Sequence, residues 1–262
     1  MFKLKFIRTW WGDQQDKWLE VPKIPLISSE NEIVYVWGKE NLNKFKERGY
    51  NCVLMEEDEF NGKSIYGKKL TVLNKALKEW GEVLMLDWDC CLSLPLDDNF
   101  YTMLSKKPIQ VPLYAHHKEP DIALLEAIPD NHPILQSEKT YIDLITNLES
   151  IALEIPKYHW KWNDNLIVPN FGCVYSRDIN LGEDLIKIAK ENNIKGLVEE
   201  FAMWKYANCT LEEYIEQYHP DYVLGVSDDK LKDQEYSISI IQKEFNKEIK
   251  NKINLKQYFN HV

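Results

Sequence analysis

The chain has 262 residues, which is enough to bury one sizeable hydrophobic core. Its formal net charge of −10 and pI near 5.2 argue against a nucleic-acid-binding surface, because such surfaces are usually basic. An acidic protein can still bind a nucleotide phosphate through a metal ion. The sequence contains no apolar stretch of the roughly 18 residues that a membrane span needs, and its N-terminus lacks the long apolar region of a signal peptide. A soluble, cytoplasmic protein is therefore expected.

The first half of the sequence alternates strand-like and helix-like segments. The predicted strands are Lys3–Thr9, Ile33–Trp37, Asn51–Met55 and Val83–Leu86, and the predicted helices are Glu40–Arg48 and Lys68–Trp80. Strands that are separated by helix-length segments indicate βαβ units. The sequence therefore predicts an α/β fold with a mostly parallel sheet.

The second half is less regular. The predicted strands are Pro108–Tyr114 and Val168–Ser176, and the predicted helices are Asp143–Leu153, Gly182–Asn192, Val198–Ala207, Leu211–Gln217 and Tyr236–Lys250. No internal repeat, low-complexity tract or flexible linker interrupts the chain. One compact domain is therefore expected over residues 1–262.

Two aspartates directly follow the apolar strand Val83–Leu86. Asp87 and Asp89 stand at the carboxyl end of that strand, where open α/β sheets bind their ligands. On an extended chain, residues two apart point the same way, so both carboxylates can reach one hard cation. Such a cation can in turn hold a diphosphate. The alternative is an ordinary solvated turn that ends the strand.

The order of motifs resembles the GT-A fold of nucleotide-sugar-dependent glycosyltransferases. The matching pieces are a polar turn after the first strand (Arg8 to Asp13), a Lys-bearing helix (Lys68, Lys69), the triplet Asp87-Trp88-Asp89, an Asn-x-Gly strand (Asn170, Gly172), an acidic helix start (Glu199, Glu200) and a C-terminal histidine. The resemblance implies a Rossmann-related, mixed but mostly parallel central sheet flanked by helices. It also implies that residues 1–115 bind the nucleotide sugar and that residues 116–262 bind the acceptor.

The resemblance implies a metal site. Asp87 and Asp89 would hold Mn²⁺ or Mg²⁺ against the donor diphosphate, since hard oxygen ligands suit these ions. A C-terminal histidine often completes such a site, and His261 is favoured over His219 because an aromatic run precedes it. The alternative for either histidine is a surface or helix-capping role.

The resemblance also implies a donor and acceptor site. Thr9, Trp10, Trp11 and Asp13 would contact the nucleobase and ribose, with Trp88 beside them, although the two tryptophans at the end of the first strand fit a core anchor equally well. Lys68 or Lys69 would reach the diphosphate, or else face solvent. Asn170 and Gly172 would line the sugar pocket. Glu199 or Glu200 would act as general base or bind sugar hydroxyls, although acidic residues are common in any first helical turn.

These features predict a metal-dependent glycosyltransferase that moves a sugar from a UDP- or GDP-linked donor, with UDP favoured, to a hydroxyl on a glycan, protein or lipid. One alternative is a non-catalytic carbohydrate-binding or assembly protein. A sugar nucleotidyltransferase is disfavoured because Met1 to Trp18 contains Gly12 as its single glycine, too few for a phosphate-binding loop. The sequence leaves open the donor sugar, the acceptor and whether the anomeric configuration is retained or inverted.

Overall fold

The computed structural model describes residues 4–11, 31–61, 66–88, 90–92, 96–116, 160–163, 165–192, 198–226, 244–249 and 256–261. The predicted helix Asp143–Leu153 lies outside these ranges. Of the predicted helix Tyr236–Lys250, the described residues 244–249 are helical.

A six-stranded sheet forms the centre of the described chain. Its strands are β1 (Lys5–Trp10), β2 (Glu32–Trp37), β3 (Asn51–Met55), β4 (Val83–Leu86), β6 (Ile109–Gln110) and β10 (Cys173–Ser176), in the spatial order β3-β2-β1-β4-β10-β6. The first four run parallel to one another, and β10 runs antiparallel to β4 and to β6. Strand β4 reads as a continuous apolar run, VLML, as expected for a strand covered on both faces.

Helices cover this sheet. They are α1 (Lys39–Glu47), α2 (Gly67–Trp80), α3 (Asp98–Ser105), α4 (Leu181–Asn192), α5 (Val198–Ala207) and α6 (Leu211–Gln217). Helix α2 buries Leu70, Leu73 and Leu77 in the largest apolar cluster, together with Met85 of β4. The prediction of an α/β fold with a mixed, mostly parallel sheet flanked by helices is confirmed. None of the helices in the described part of the chain combines the length and apolar character needed to cross a membrane.

Two predicted strands are each divided in two. Pro108–Tyr114 separates into β6 and β7 (Leu113–His116), because Pro112 has no N–H for a sheet ladder. Val168–Ser176 separates into β9 (Asn165–Pro169) and β10, at a turn that contains Asn170. Strands β7 and β9 pair with each other and with β8 (Trp160–Trp162) in a small antiparallel sheet.

A third sheet consists of three strands that the sequence analysis missed. It has the order β11-β12-β5, with β5 at Cys90–Leu92, β11 at Tyr222–Val226 and β12 at Lys256–His261. Strand β12 runs antiparallel to β5, and His261 pairs with Cys90. The C-terminal strand therefore lies beside the segment that directly follows the Asp-x-Asp motif.

Candidate functional site at the carboxyl edge of the sheet

Asp87 directly follows the last residue of β4, and backbone hydrogen bonds fix its position. Its amide donates to the carbonyl of Gly172 (2.9 Å), and its carbonyl accepts from the amide of Cys90 (3.2 Å). The first bond joins Asp87 to the turn that precedes β10, and the second brings β5 back against it. Asp87 therefore lies at the carboxyl edge of the parallel strands, where α/β sheets bind ligands.

Lys69 lies in the first turn of α2, and its ammonium contacts Asp87. Helix α2 leads back to the start of β4, so its N-terminal end lies at the edge where β4 finishes. Lys69 Nζ is 2.8 Å from Asp87 Oδ2 and 3.7 Å from Glu199 Oε1. Glu199 belongs to the first turn of α5. Two helix starts and one strand end therefore bring three charged side chains together.

The three charged groups differ in their access to solvent. The exposed fraction is 7% for the Lys69 side chain, 26% for Asp87 and 1% for Glu199. A buried charge needs a partner of opposite sign, and Lys69 provides one for both carboxylates. One ammonium between two carboxylates leaves a net negative charge, and Asp87 carries the carboxylate that a ligand from solvent can reach.

The predicted pocket residues Asn170 and Gly172 form the turn that supports Asp87. Asn170 is 9% exposed, and its side-chain oxygen accepts a hydrogen bond from the amide of Gly172 (2.6 Å). The Gly172 carbonyl accepts from the Asp87 amide and from Cys90 Sγ (3.1 Å). The Asn170 side chain thus closes a local turn, and the turn presents its carbonyl to Asp87.

Trp10 and Trp88 are core residues. Trp10 is 0% exposed, with its ring centroid 5.2 Å from that of Phe45 and 5.4 Å from that of Trp88. Trp88 is 9% exposed, and its Nε1 donates to the carbonyl of Thr9 (2.6 Å). With no exposed surface and T-shaped contacts to aromatic neighbours, Trp10 fits the alternative of a core anchor at the strand end.

Three more of the predicted residues have described side chains. Trp11 and Glu200 are partly buried. Lys68 Nζ lies 5.1 Å from the ring centroid of Trp37, where the cation meets an aromatic face. Lys68 is thus engaged away from Asp87, and of the two lysines it is Lys69 that contacts the acidic strand end. Asp13, Asp89 and the side chain of His261 lie outside the described atoms.

The two candidate histidines have different surroundings. His219 is 1% exposed, and its Nδ1 lies 2.8 Å from the carbonyl oxygen of Pro220. Burial lowers the pKa of His219 to about 4, so its ring is neutral at physiological pH. His261 is placed by register opposite Cys90, and opposed Cα atoms in an antiparallel pair are about 5 Å apart. The backbone therefore places His261, the favoured candidate, beside Cys90, the residue that follows the triplet Asp87-Trp88-Asp89 in the sequence.

The described residues fit a divalent cation in part. Asp87 supplies a hard carboxylate oxygen at a solvent-accessible edge, and β12 brings a histidine backbone to the same segment. Among the described side chains, no three from His, Cys, Asp and Glu form a metal-ligand cluster. A divalent cation at this edge would need further ligands besides Asp87.

Two features of this edge were missed in the sequence. Arg8 was placed in the polar turn but given no role, although a charged residue between Phe6 and Trp10 interrupts the apolar face of a strand. Strand β12 was missed because Lys256 to His261 carries little apolar alternation. The role of Arg8 could have been suspected from the sequence, because the residue stands between two apolar ones on its face of the strand. Strand β12 could not have been, because it is stabilised by pairing with β5 and β11.

Comparisons with known proteins give structural likenesses only. No protein-family model matches the chain, and no curated protein sequence matches it significantly. The apo structure of mouse xyloside xylosyltransferase 1 is 10% identical, with 98% of this chain and 97% of that chain covered and a TM-score of 0.44. A glycosyltransferase involved in glycosylation of the major capsid of PBCV-1 is 11% identical, with coverage of 98% and 93% and a TM-score of 0.32.

A third likeness is to the apo structure of the bifunctional glycosyltransferase WbbM. It is 9% identical, covers 99% of this chain and 45% of that chain, and has a TM-score of 0.43. All three structures are of glycosyltransferases. At such identities and at TM-scores below 0.5, the likeness does not assign an activity to this chain.

Proposed function

We propose that the protein is a metal-dependent glycosyltransferase that uses a nucleoside-diphosphate sugar, with UDP favoured over GDP as the nucleotide. The observation that carries the proposal is the position of Asp87. It is a partly exposed carboxylate at the end of a central parallel strand, in contact with Lys69 and next to the strand that bears His261. This arrangement agrees with the order of motifs in the sequence.

Three groups would hold the cation in this proposal: the carboxylates of Asp87 and Asp89 and the imidazole of His261. A Mn²⁺ or Mg²⁺ ion bound there would supply Lewis-acid stabilisation of the charge that develops on the leaving diphosphate. Oxygen ligands with one imidazole suit Mn²⁺ well. Asp87 keeps a fixed orientation because its backbone is bonded to Gly172 and its Oδ2 to Lys69.

In this proposal, Lys69 contacts Asp87 directly and Glu199 acts on Asp87 through Lys69. The Lys69 ammonium orients the Asp87 carboxylate, and Glu199 keeps the ammonium in place. Because Glu199 is buried and paired with Lys69, Glu200 is the better candidate for the general base that accepts a proton from the acceptor hydroxyl. Thr9, Trp11 and Asp13 remain the predicted contacts for the nucleotide.

The test is calorimetric titration with UDP and with GDP, each in Mn²⁺ and in EDTA. We expect one nucleotide to bind only with the metal, and Asp87→Asn to weaken that binding at least tenfold, about 1.4 kcal/mol. The asparagine keeps the size of the side chain but removes the charge that attracts the cation.

The matched control is Asp98→Asn, which removes an exposed carboxylate from the first turn of α3. This variant should bind nucleotide as the parent protein does. Nucleotide binding that is equal in Mn²⁺ and in EDTA would contradict the metal site. Metal-dependent binding without release of nucleoside diphosphate, across a panel of donors and acceptors, would favour the non-catalytic carbohydrate-binding alternative.

A further inference from the structure

Arg8 is a buried arginine in the middle of β1. Its side chain is 3% exposed, and its Nε lies 3.5 Å from Oε1 of Glu32, which is 1% exposed. Its neighbours on the same face of β1 are the buried residues Phe6 and Trp10. A buried ion pair of this kind usually contributes little net stability, because removing both charges from water is costly. The ion pair by itself therefore does not account for a buried arginine at this position, and the other contacts of Arg8 have to be considered.

Both of those contacts are to the segment that carries the second aspartate of the motif. Arg8 Nη2 donates to the carbonyl of Cys90 (2.9 Å), and the guanidinium carbon lies 4.5 Å from the ring centroid of Trp88. Trp88 precedes Asp89 in the sequence, and Cys90 follows it. One guanidinium thus holds the residue on each side of Asp89.

A second link ties the same segment to β1. Trp88 Nε1 donates to the carbonyl of Thr9, the residue after Arg8, at 2.6 Å. In the central sheet, β1 pairs with β2 over Phe6–Trp10 and with β4 over Lys5–Ile7. The contacts of Arg8 and Thr9 therefore fasten Trp88 and Cys90 to a strand of the central sheet, just beyond its pairing with β4.

We propose that Arg8 is a positioning residue that holds Trp88 and Cys90, the residues on either side of Asp89 in the sequence. This inference rests on the proposed function for its purpose, since a hard-metal site needs its oxygen ligands at defined positions. Glu32 compensates the charge of the buried guanidinium. The guanidinium is suited to this task because it is flat and has several donors, so it stacks, forms an ion pair and donates to a carbonyl at once.

The variant that tests the proposal is Arg8→Lys. A lysine keeps the positive charge for Glu32 but has neither the flat face nor the fork of donors. The control is Glu32→Gln, which removes the ion-pair partner and leaves the guanidinium beside Trp88 and Cys90. Both variants disturb the ion pair between Arg8 and Glu32. A difference in behaviour between them therefore reports on the contacts of Arg8 with Trp88 and Cys90.

The primary measurement is amide hydrogen exchange of peptides that cover residues 87–92, in the metal-free protein. We expect Arg8→Lys to speed exchange there at least tenfold relative to both the parent and Glu32→Gln, with peptides from β1 and β2 unchanged. Equal exchange in the two variants, or acceleration spread evenly over the sheet, would overturn the proposal, because it would mean that Arg8 acts on global stability alone.

A Mn²⁺ titration of the same proteins separates this inference from the proposed function. We expect Arg8→Lys to bind Mn²⁺ about tenfold more weakly than Glu32→Gln. If the parent protein binds no Mn²⁺, the proposed metal site fails, and the exchange experiment still decides whether Arg8 fixes the segment. If Arg8→Lys loosens the segment and Mn²⁺ affinity stays unchanged, the positioning role toward the metal site is overturned.

Discussion

Lys69 contacts the carboxylate that would bind the metal ion in the proposed site. Its ammonium lies 2.8 Å from Asp87 Oδ2, so it already neutralises part of the charge that a cation would use. It also compensates the buried Glu199, at 3.7 Å. In the proposed site, Lys69 would therefore order Asp87 and at the same time compete with the metal ion for it. That Lys68 or Lys69 reaches the diphosphate stays a prediction.

Replacing Lys69 should therefore strengthen metal binding. We expect Lys69→Met to raise the affinity for Mn²⁺ about fivefold, a coupling of about 1 kcal/mol, because the full charge of Asp87 becomes available. The measurement is titration of Mn²⁺ followed by electron paramagnetic resonance. Lys68→Met is the matched control, since Lys68 contacts Trp37 and should leave the affinity unchanged. Weaker Mn²⁺ binding in Lys69→Met would show that its orienting effect outweighs its competition.

The strands and helices that were predicted correctly are those whose own residues carry the signal. Strand β4 was recognised because four consecutive apolar residues fit a strand covered on both faces, and the position of Asp87 followed from it. The division at Pro112 was missed although a proline carries that signal. Strands β5 and β12 could not be predicted, because they are stabilised by pairing with distant segments. The role of Arg8 likewise depends on a carbonyl 82 positions along the chain.

The contact between α2 and α4 sets where α2, and with it Lys69, lies on the sheet. A Cβ added at Gly182 would lie 2.4 Å from the backbone Cα of Asn74, which cannot move aside without moving α2. We expect Gly182→Ala to lower the free energy of unfolding by about 3 kcal/mol, the upper end for overpacking. Urea denaturation measures this.

Gly49 provides the comparison for Gly182. It has φ of +81°, and nothing lies within 4 Å of an added Cβ. Gly49→Ala should therefore cost only the backbone strain, about 1 kcal/mol. Equal losses for the two variants would mean that the helix contact at Gly182 adapts to a methyl group.

For the whole molecule, His219 links stability to pH. Burial lowers its pKa from 6.5 to about 4 in the folded protein. Between these values the unfolded chain binds a proton that the folded protein does not, so stability is full above about pH 6.5 and falls as the pH drops toward 4.

His219→Asn should reduce this loss, because asparagine does not titrate and its amide can still donate to the Pro220 carbonyl. Between about pH 7.5 and about pH 4.5, we expect the parent protein to lose about 2 kcal/mol more of its unfolding free energy than the variant does. Urea denaturation at the two pH values measures the difference. Parallel losses in both proteins would mean that the His219 ring is protonated in the folded state.

Strand β12 has a consequence for how the protein is made. It pairs with β5 on one side and β11 on the other, and β5 directly follows the acidic segment. During translation the central parallel strands leave the ribosome long before β12 does. The edge of β5 that pairs with β12 therefore stays without that strand until residues 256–261 emerge. In the proposed site, the histidine arrives with that strand. If that proposal holds, a nascent chain forms most of its sheet before its metal site can be completed, because the histidine ligand is added only when synthesis has passed His261.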